Sequence, residues 1–352
     1  MGGVETHVAQ VAPRLRHAGV DIEILTTDRS GLLPRREVVN GVPVHRVAAY
    51  PRQRDYYLAP GIVRALARGG WDLVHCQGIH TLVAPLAMLV AAQRRIPFVV
   101  TFHSGGHSSM LRHRLRTLQW IALVPLLRRA AGLIAVSPFE ARLFGHLPGM
   151  DGPRIDVISN GIDLVGPRHV TPVDRDLIVS VGRLERYKGH HHAIDALPRL
   201  AQSRPLVHLR IAGTGPYERQ LRNAAKRIGV ADRVEISAIA PADRTSMADL
   251  MARAGVVVLF SEYESQGLAV MEALGLGRPV VVTDSTALHE YVERGLAQGV
   301  AAGASKGELA EAILQALARP PLPPRRLATW DDCAQQLLAL YQSIARGATP
   351  GS

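Results

Sequence analysis

The sequence predicts an α/β fold of two doubly wound domains, each a parallel sheet covered by helices on both faces. Three observations carry that prediction. Short runs rich in Val, Ile and Leu alternate with amphipathic stretches of helical length, the pattern of strands buried on both faces and joined by helices. The series breaks at Asp163–Asp176, where proline, glycine and charge replace periodicity, and then restarts. At 352 residues the chain is too long for one ordinary α/β unit, and its 47% apolar content is enough for two cores.

In the first half the apolar runs are Asp21–Thr27, Val42–Val47, Asp72–Cys76, Phe98–Phe102, Leu133–Val136 and Ile155–Ile158. In the second they are Leu177–Val181, Val207–Ala212, Val234–Ile236, Val256–Phe260 and Pro279–Thr283. The domains are therefore expected at 1–165 and 166–328. The proline cluster Pro320–Pro324 closes the second series. Beyond it, Trp330–Arg346 places Cys333, Leu337, Leu338, Tyr341 and Ile344 on one helical face, so 329–352 is expected to form a helix returning to the first domain. No repeat of solenoid period is present.

The opening departs from this scheme. A doubly wound domain begins with a strand, a Gly-rich turn and then a helix. Here Met1 leads straight into Gly2-Gly3 and the helical pattern Val4–His17. The turn and helix are present without the strand, so the start reads as one placed downstream of a strand that belongs mid-sheet.

Composition narrows the function classes. Charged residues at 20% exclude wholesale disorder. The two cysteines, Cys76 and Cys333, have no metal-ligand spacing and fit a reducing compartment. The opening lacks the charged and apolar regions of a secretory signal, and the longest apolar run, Leu82–Ala92, is about half of a membrane span. The chain therefore reads as cytoplasmic, with peripheral contact at the inner membrane surface as an option for its basic first half. Residues 1–165 carry an excess of +8 out of the total +11, and no acid falls between Asp72 and Glu140. Arg94, Arg95, Arg112, Arg114, Arg116, Arg128 and Arg129 occupy that gap. Such a face suits anionic lipid headgroups or phosphorylated acceptors. It equally fits an Arg-rich coding bias with solvated charges. Within it, Ser108–Arg129 reads either as a basic amphipathic surface helix or as an ordinary helix covering the sheet. The arginines are not interleaved with aromatics and no recognition motif accompanies them, so nucleic acid is not an expected partner.

The chemistry concentrates at strand ends of the second domain. The segment Ser261–Leu274, SEYESQGLAVMEAL, follows the strand at Val256–Phe260 and opens a helix near Gln266–Leu268. Ligands of open α/β sheets bind beyond strand carboxyl ends, where helix N-termini attract anions. Glu264 lies just before that helix and Glu272 about one and a half turns inside it, so the two carboxylates can serve two parts of one ligand. Gly267 permits close backbone approach. A second segment, Val181–Gly189, VGRLERYKG, puts Arg183 and Lys188 after the first strand of the domain, two cations suited to a pyrophosphate. A third, Gly213–Pro216, GTGP, is a Gly-rich turn that by itself reads as a plain turn. In the first domain, His103 follows the strand Phe98–Phe102, and His7, His75, His80 and His107 are further candidate site residues. His190–His192 reads as a polar helix start. No histidine set has metal spacing, and no Asp-x-Asp motif is placed to carry a catalytic metal.

Taken together these motifs resemble glycosyltransferase family 4, with the GT-B fold of two Rossmann-like domains. The resemblance rests on GGVETHV (Gly2–Val8), WDLVHC (Trp71–Cys76), VVTFH (Val99–His103), IDVISNGID (Ile155–Asp163) and the three segments above, all in the family's order. It implies a retaining transfer from a nucleoside-diphosphate sugar to an acceptor hydroxyl on a glycan, a lipid-linked molecule or a small molecule, with no cofactor and no metal. It further implies that Arg183 and Lys188 hold the diphosphate, with Gly3 approaching it from the first domain and Gly213 on the donor side. Glu264 would contact sugar hydroxyls, Gly267 and Leu268 offer backbone donors, Glu272 bind the ribose, and His103 contact sugar or acceptor near the reacting centre. Three positions depart from the family pattern: Gln266 replaces an aromatic residue, Ala238 a glycine, and DSTALHE (Asp284–Glu290) a Gly-Gly turn. These bear on sugar and base preference rather than on fold. The alternatives are a nucleotide-sugar 2-epimerase-like enzyme and a non-catalytic nucleotide-sugar-binding protein.

Overall fold

The computed structural model describes residues 3–52, 57–104, 110–152, 154–163, 172–240, 243–319, 323 and 325–348, with the side chains of 110–117 excepted. Gly2, His107 and the side chains of Arg112, Arg114 and Arg116 therefore lie outside the described residues. In chain order the first unit contains α1 (Gly3–His17), β1 (Ile24–Asp28), β2 (Arg36–Val39), β3 (Val42–Ala48), α2 (Gly61–Arg68), β4 (Val74–Gln77), α3 (Val83–Gln93), β5 (Phe98–Thr101), α4 (Met110–Leu127), β6 (Gly132–Ala135), α5 (Pro138–Gly145) and β7 (Ile155–Val157). The second contains β8 (Asp174–Val181), α6 (His190–Ser203), β9 (His208–Ala212), α7 (Glu218–Arg227), β10 (Val234–Ser237), α8 (Arg244–Arg253), β11 (Ala254–Leu259), α9 (Leu268–Gly275), β12 (Val280–Thr283), α10 (His289–Glu293), β13 (Gln298–Val300) and α11 (Lys306–Ala318). The chain then forms α12 (Trp330–Ala348), which belongs to the first unit.

The division falls after Gly161 and before Trp330, a few residues from the 165/166 and 328/329 expected from sequence. The reason is local pairing. Ile162 bridges Thr329, and its N–H donates to the Ala328 carbonyl at 3.0 Å, which draws both ends of the crossover into the second unit.

The second unit is one parallel sheet in the order β10-β9-β8-β11-β12-β13. Side chains alternate between its faces. Ile178, Val256 and Val258 pack with Ile194 and Leu197 of α6 and Ile313 of α11. Leu177, Val179, Val257 and Leu259 pack with Val270, Met271 and Leu274 of α9. This period-two division of fully apolar strands makes the sheet doubly wound. Chain order reverses direction between β8 and β11, and the crevice beyond the carboxyl ends of strands at such a switch point is where these sheets bind ligands.

The first unit has two sheets among its described residues, β1-β3-β2 and the parallel β4-β5-β6-β7. Sequence reading missed β2, a charged strand that pairs antiparallel with β3. The turn between them is Asn40-Gly41 with φ of 49° and 79°, the geometry that an Asn-Gly hairpin favours. The short β13 was also not expected. In α4, Trp120, Val124 and Leu127 are buried in the core, so the described part of this helix covers the sheet while Arg128 and Arg129 lie exposed beyond it. Among the described residues no helix is long and apolar enough to cross a membrane.

Candidate functional site

Two clusters stand at strand carboxyl ends, one in each unit. In the second unit the loop after β8 turns at Gly182 and exposes Arg183, whose guanidinium donates to the Tyr187 hydroxyl at 2.8 Å. The chain then makes a tight turn over Arg186–Lys188 and enters α6 through Gly189, at φ 70°. A Cβ at Gly189 would lie 1.8 Å from the Phe260 carbonyl oxygen, so only glycine lets this loop lie against the end of β11. That contact delivers Lys188 to Glu264: the Nζ–Oε1 distance is 2.6 Å and both side chains are less than one-fifth exposed. The Ser261 hydroxyl donates to the same carboxylate oxygen at 2.8 Å. Two residues acting from opposite sides of the switch point thus fix one carboxylate.

Gly213 is more than a plain turn. Its Cβ position lies 1.9 Å from the Gly182 carbonyl oxygen, and Leu184 N–H donates to Thr214 C=O at 2.9 Å, so the Gly213–Gly215 turn packs directly on the Arg183 loop. His190, expected as part of a polar helix start, is instead buried. Its Nδ1 accepts from the Ser180 hydroxyl at 2.8 Å and its Nε2–H faces the Arg183 carbonyl at 3.2 Å. Burial drives its pKa down to about 4, so a neutral imidazole braces the loop. A histidine run at a helix start gives no hint of which member turns inward.

Beyond β11, Gly267 adopts φ 83° as the N-cap of α9, and Leu268 is the first helical residue. The helix dipole there favours an anion. Gln266, in place of an aromatic residue, is buried and directs its amide to the Met271 sulfur. Glu272 is drawn to a different partner from Glu264. Its carboxylate is ion-paired with Arg244, the first residue of α8, in a small cleft that Asp163, Met247 and Met251 also line. Burial raises the Glu272 pKa, Arg244 opposes that rise and Asp163 adds to it. Arg244 escaped sequence reading, since only the packing of α8 against α9 brings it to Glu272.

In the first unit His103, two residues beyond β5, has φ 45°, a left-handed backbone that histidine adopts more readily than most residues. Its Nε2–H donates to Gln77 Oε1 at 2.7 Å. Gln77 Nε2 faces His75 Nε2, which also meets the Thr101 hydroxyl at 2.7 Å, while His75 Nδ1 bonds the Tyr341 hydroxyl of α12. The His7 ring stands edge-on to that of His103 with centroids 4.7 Å apart, and its Nδ1 bonds Asn160 Oδ1 at 2.7 Å. Burial pushes His7 down to about 4, His75 to about 3 and His103 well below its usual range, where His7, His75 and His80 lower it further. The cluster is neutral at pH 7 and works by hydrogen bonding. Glu140, which sequence reading passed over, supports it: the buried carboxylate accepts from the Ser104 amide and hydroxyl and from the Val136 amide. The available signal was the SPFE stretch Ser137–Glu140, which caps α5. Gly3 is exposed at the start of α1, and no described atom lies within 4 Å of its Cβ position, so packing within the unit does not demand glycine there. Among the described residues no group of three His, Cys, Asp or Glu is gathered to hold a metal.

A doubly wound sheet whose switch point gathers two cations, a carboxylate and a helix N-terminus is suited to a phosphorylated ligand. Residues 1–165 match the model described as Glycosyltransferase Family 4, and residues 166–328 match Glycosyl transferases group 1. A glycogen synthase of Mycobacterium tuberculosis (strain CDC 1551 / Oshkosh) is 30% identical, over 99% of this chain and 92% of its own length. A D-inositol 3-phosphate glycosyltransferase of Mycobacterium avium (strain 104) is 29% identical, over 98% and 90%. The crystal structure of Anabaena Alr3699/HepE in complex with UDP-glucose superposes with a TM-score of 0.70 at 22% identity, covering 99% of this chain and 96% of that one, which shows the shared fold. The chain belongs to glycosyltransferase family 4 and is a glycosyltransferase with the GT-B fold.

Proposed function

We propose that this enzyme takes a glycosyl group from a nucleoside-diphosphate sugar and passes it, with retained anomeric configuration, to an acceptor hydroxyl. The observation that carries the reading is the Lys188–Glu264 ion pair at the β8/β11 switch point, with Arg183 on the same loop. Similarity to a fold that holds UDP-glucose in HepE supports a nucleotide-sugar donor. The two relatives differ in the acceptor their names imply, so the reading commits to the hydroxyl and not to its bearer.

In this reading Arg183 and Lys188 hold the diphosphate, Gly213 lets its turn pack beneath the Arg183 loop, and Gly267 and Leu268 offer amides to it. Glu264 accepts hydrogen bonds from sugar hydroxyls, Glu272 from the ribose, and His103 contacts sugar or acceptor. As the bond from the anomeric carbon to the β-phosphate oxygen breaks, negative charge grows on that phosphate, and the two cations stabilise it. The acceptor oxygen bonds to the anomeric carbon on the same face, and its proton passes to the departing phosphate. The cations supply the counter-charge, so the reading calls for no metal. Arg183→Ala and Lys188→Ala, each assayed with a chelator present, are expected to lower transfer by about 100-fold or more. Near-normal turnover in both variants, or the inverted anomer by NMR of the product, overturns the proposal.

A further inference from the structure

The turn after β12 is the least ordinary backbone near Glu264. Thr286 lies in it at φ 50°. A left-handed conformation crowds the branched Cβ of threonine, and strain of this kind persists where the surrounding structure enforces it. Glycine in the same place would carry no such cost.

The strained residue grips the donor-site loop. Thr286 Oγ1 accepts from the Glu264 N–H at 3.1 Å, and the next amide, Ala287 N–H, donates to the Glu264 carbonyl at 3.3 Å. Both polar groups of one peptide residue are thus held from the β12 turn, while Lys188 and Ser261 hold its carboxylate from the other side. Leu288 of the same turn reaches to 2.9 Å from the Cβ position of Gly267, so the turn also abuts the N-cap of α9. The base of the turn is tied down: Asp284 N–H donates to the Val300 carbonyl at 2.7 Å, and the Asp284 carboxylate pairs with His289 at 2.6 Å.

We infer that Thr286 is a positioning residue for Glu264, trading backbone strain for a fixed carboxylate and so setting how tightly the donor sugar is held. The inference rests on the reading of Glu264 as the sugar-contacting group. Its consequence is that stability and sugar recognition separate on substitution. Thr286→Gly relieves the strain and deletes the hydroxyl, whereas Thr286→Ser keeps the hydroxyl.

The test measures Kd for UDP and for UDP-glucose, ADP-glucose and GDP-mannose by calorimetry, with melting temperatures alongside, and uses the nucleotide sugar that wild type binds most tightly. Thr286→Gly is expected to melt at or above the wild-type temperature, to bind the free nucleoside diphosphate unchanged, and to bind the nucleotide sugar about tenfold more weakly. Thr286→Ser is expected to stay within about twofold of wild type on every measure. Wild-type sugar affinity in Thr286→Gly overturns the inference. So does an equal loss for diphosphate and nucleotide sugar, which would mark a merely structural residue. Glu264→Gln separates the two levels of argument: if it binds nucleotide sugar as wild type does, the Glu264 reading fails first. If it loses the sugar increment while Thr286→Gly does not, the Thr286 inference alone fails. Absence of sugar-dependent binding in wild type for all three donors overturns both.

Discussion

Glu264 and Glu272 lie eight residues apart on one segment, and each is neutralised by a cation from a different element. Lys188 comes from the loop after β8, and strand-end position made each partner, though not their ion pair, legible in the sequence. Arg244 comes from the start of α8, and its role depends on helix packing that no local pattern reports. A half-buried carboxylate that loses its cation is left desolvated and uncompensated. Arg244→Ala is therefore expected to raise the donor KM about tenfold with a smaller change in kcat, and Arg244→Lys to recover part of the loss. The pH profile gives the sharper readout. Burial already raises the Glu272 pKa and Arg244 holds it back, so removing Arg244 raises it further. In the proposed reading Glu272 accepts hydrogen bonds from ribose hydroxyls as a carboxylate, a contact present above its folded pKa and lost as pH falls through it. The acid limb of kcat/KM should then move to higher pH in Arg244→Ala. An unmoved limb would remove Glu272 from the donor site.

At the level of elements, α12 shows how sequence far from a unit completes it. Trp330, Cys333 and Leu337 are buried, Tyr341 bonds His75 of β4, and Asp331 pairs with Arg14 of α1 at 2.7 Å. The surface ion pair contributes little, and the apolar contacts with α1 and the sheet carry the docking. Leu337→Ala is expected to cost about 2–4 kcal/mol of first-unit stability. Hydrogen exchange should quicken in α1, β4 and α12 and stay unchanged in β8–β13; protection unchanged in α1 would show that α12 is not part of that core. The periodicity of α12 was readable, as were the second-unit strands from β8 to β12, because burial on both faces leaves an unbroken apolar run. β2 and β13 were not readable. The first, RE-V-V, is charged and mostly exposed, and the second, Gln298–Val300, is too short for a pattern. Among site residues, those just after strands were legible. His190, Glu140 and Thr286 act by turning inward from a helix or a turn, and a linear sequence does not show that direction.

Across the whole molecule the buried histidines make stability depend on pH in one sense. His7, His75 and His190 are held at about 4, 3 and 4, against about 6.5 when unfolded. For a depressed histidine the folded state is neutral, so its contribution is fully present above the unfolded pKa and is lost as pH falls toward the folded one. The unfolded chain binds the extra protons, and between pH 7 and 5 each of the three costs about 2 kcal/mol. Glu140 and Glu272 act in the opposite sense, because burial raises their folded pKa values and lets the folded state take up protons. His289, at the surface beside Asp284 and Glu293, is raised and also favours the folded state at lower pH. Among the described residues the buried histidines span both units, His7 and His103 in the first, with the part-buried His75 beside them, and His190 in the second. Against a domain stability of about 5–15 kcal/mol, a loss of this size in either unit is measurable. Both units are therefore expected to lose stability from pH 7 to 5, as read by calorimetry with exchange rates assigned to each unit, because burial lowers His191 (to about 4) and His192 in the second unit as well as His190. His75→Gln should flatten the first unit's slope and leave the second's untouched. Equal melting temperatures at the two pH values would mean that these rings are charged or solvated in the folded protein, and with that the neutral hydrogen-bonded cluster around His103 would fall.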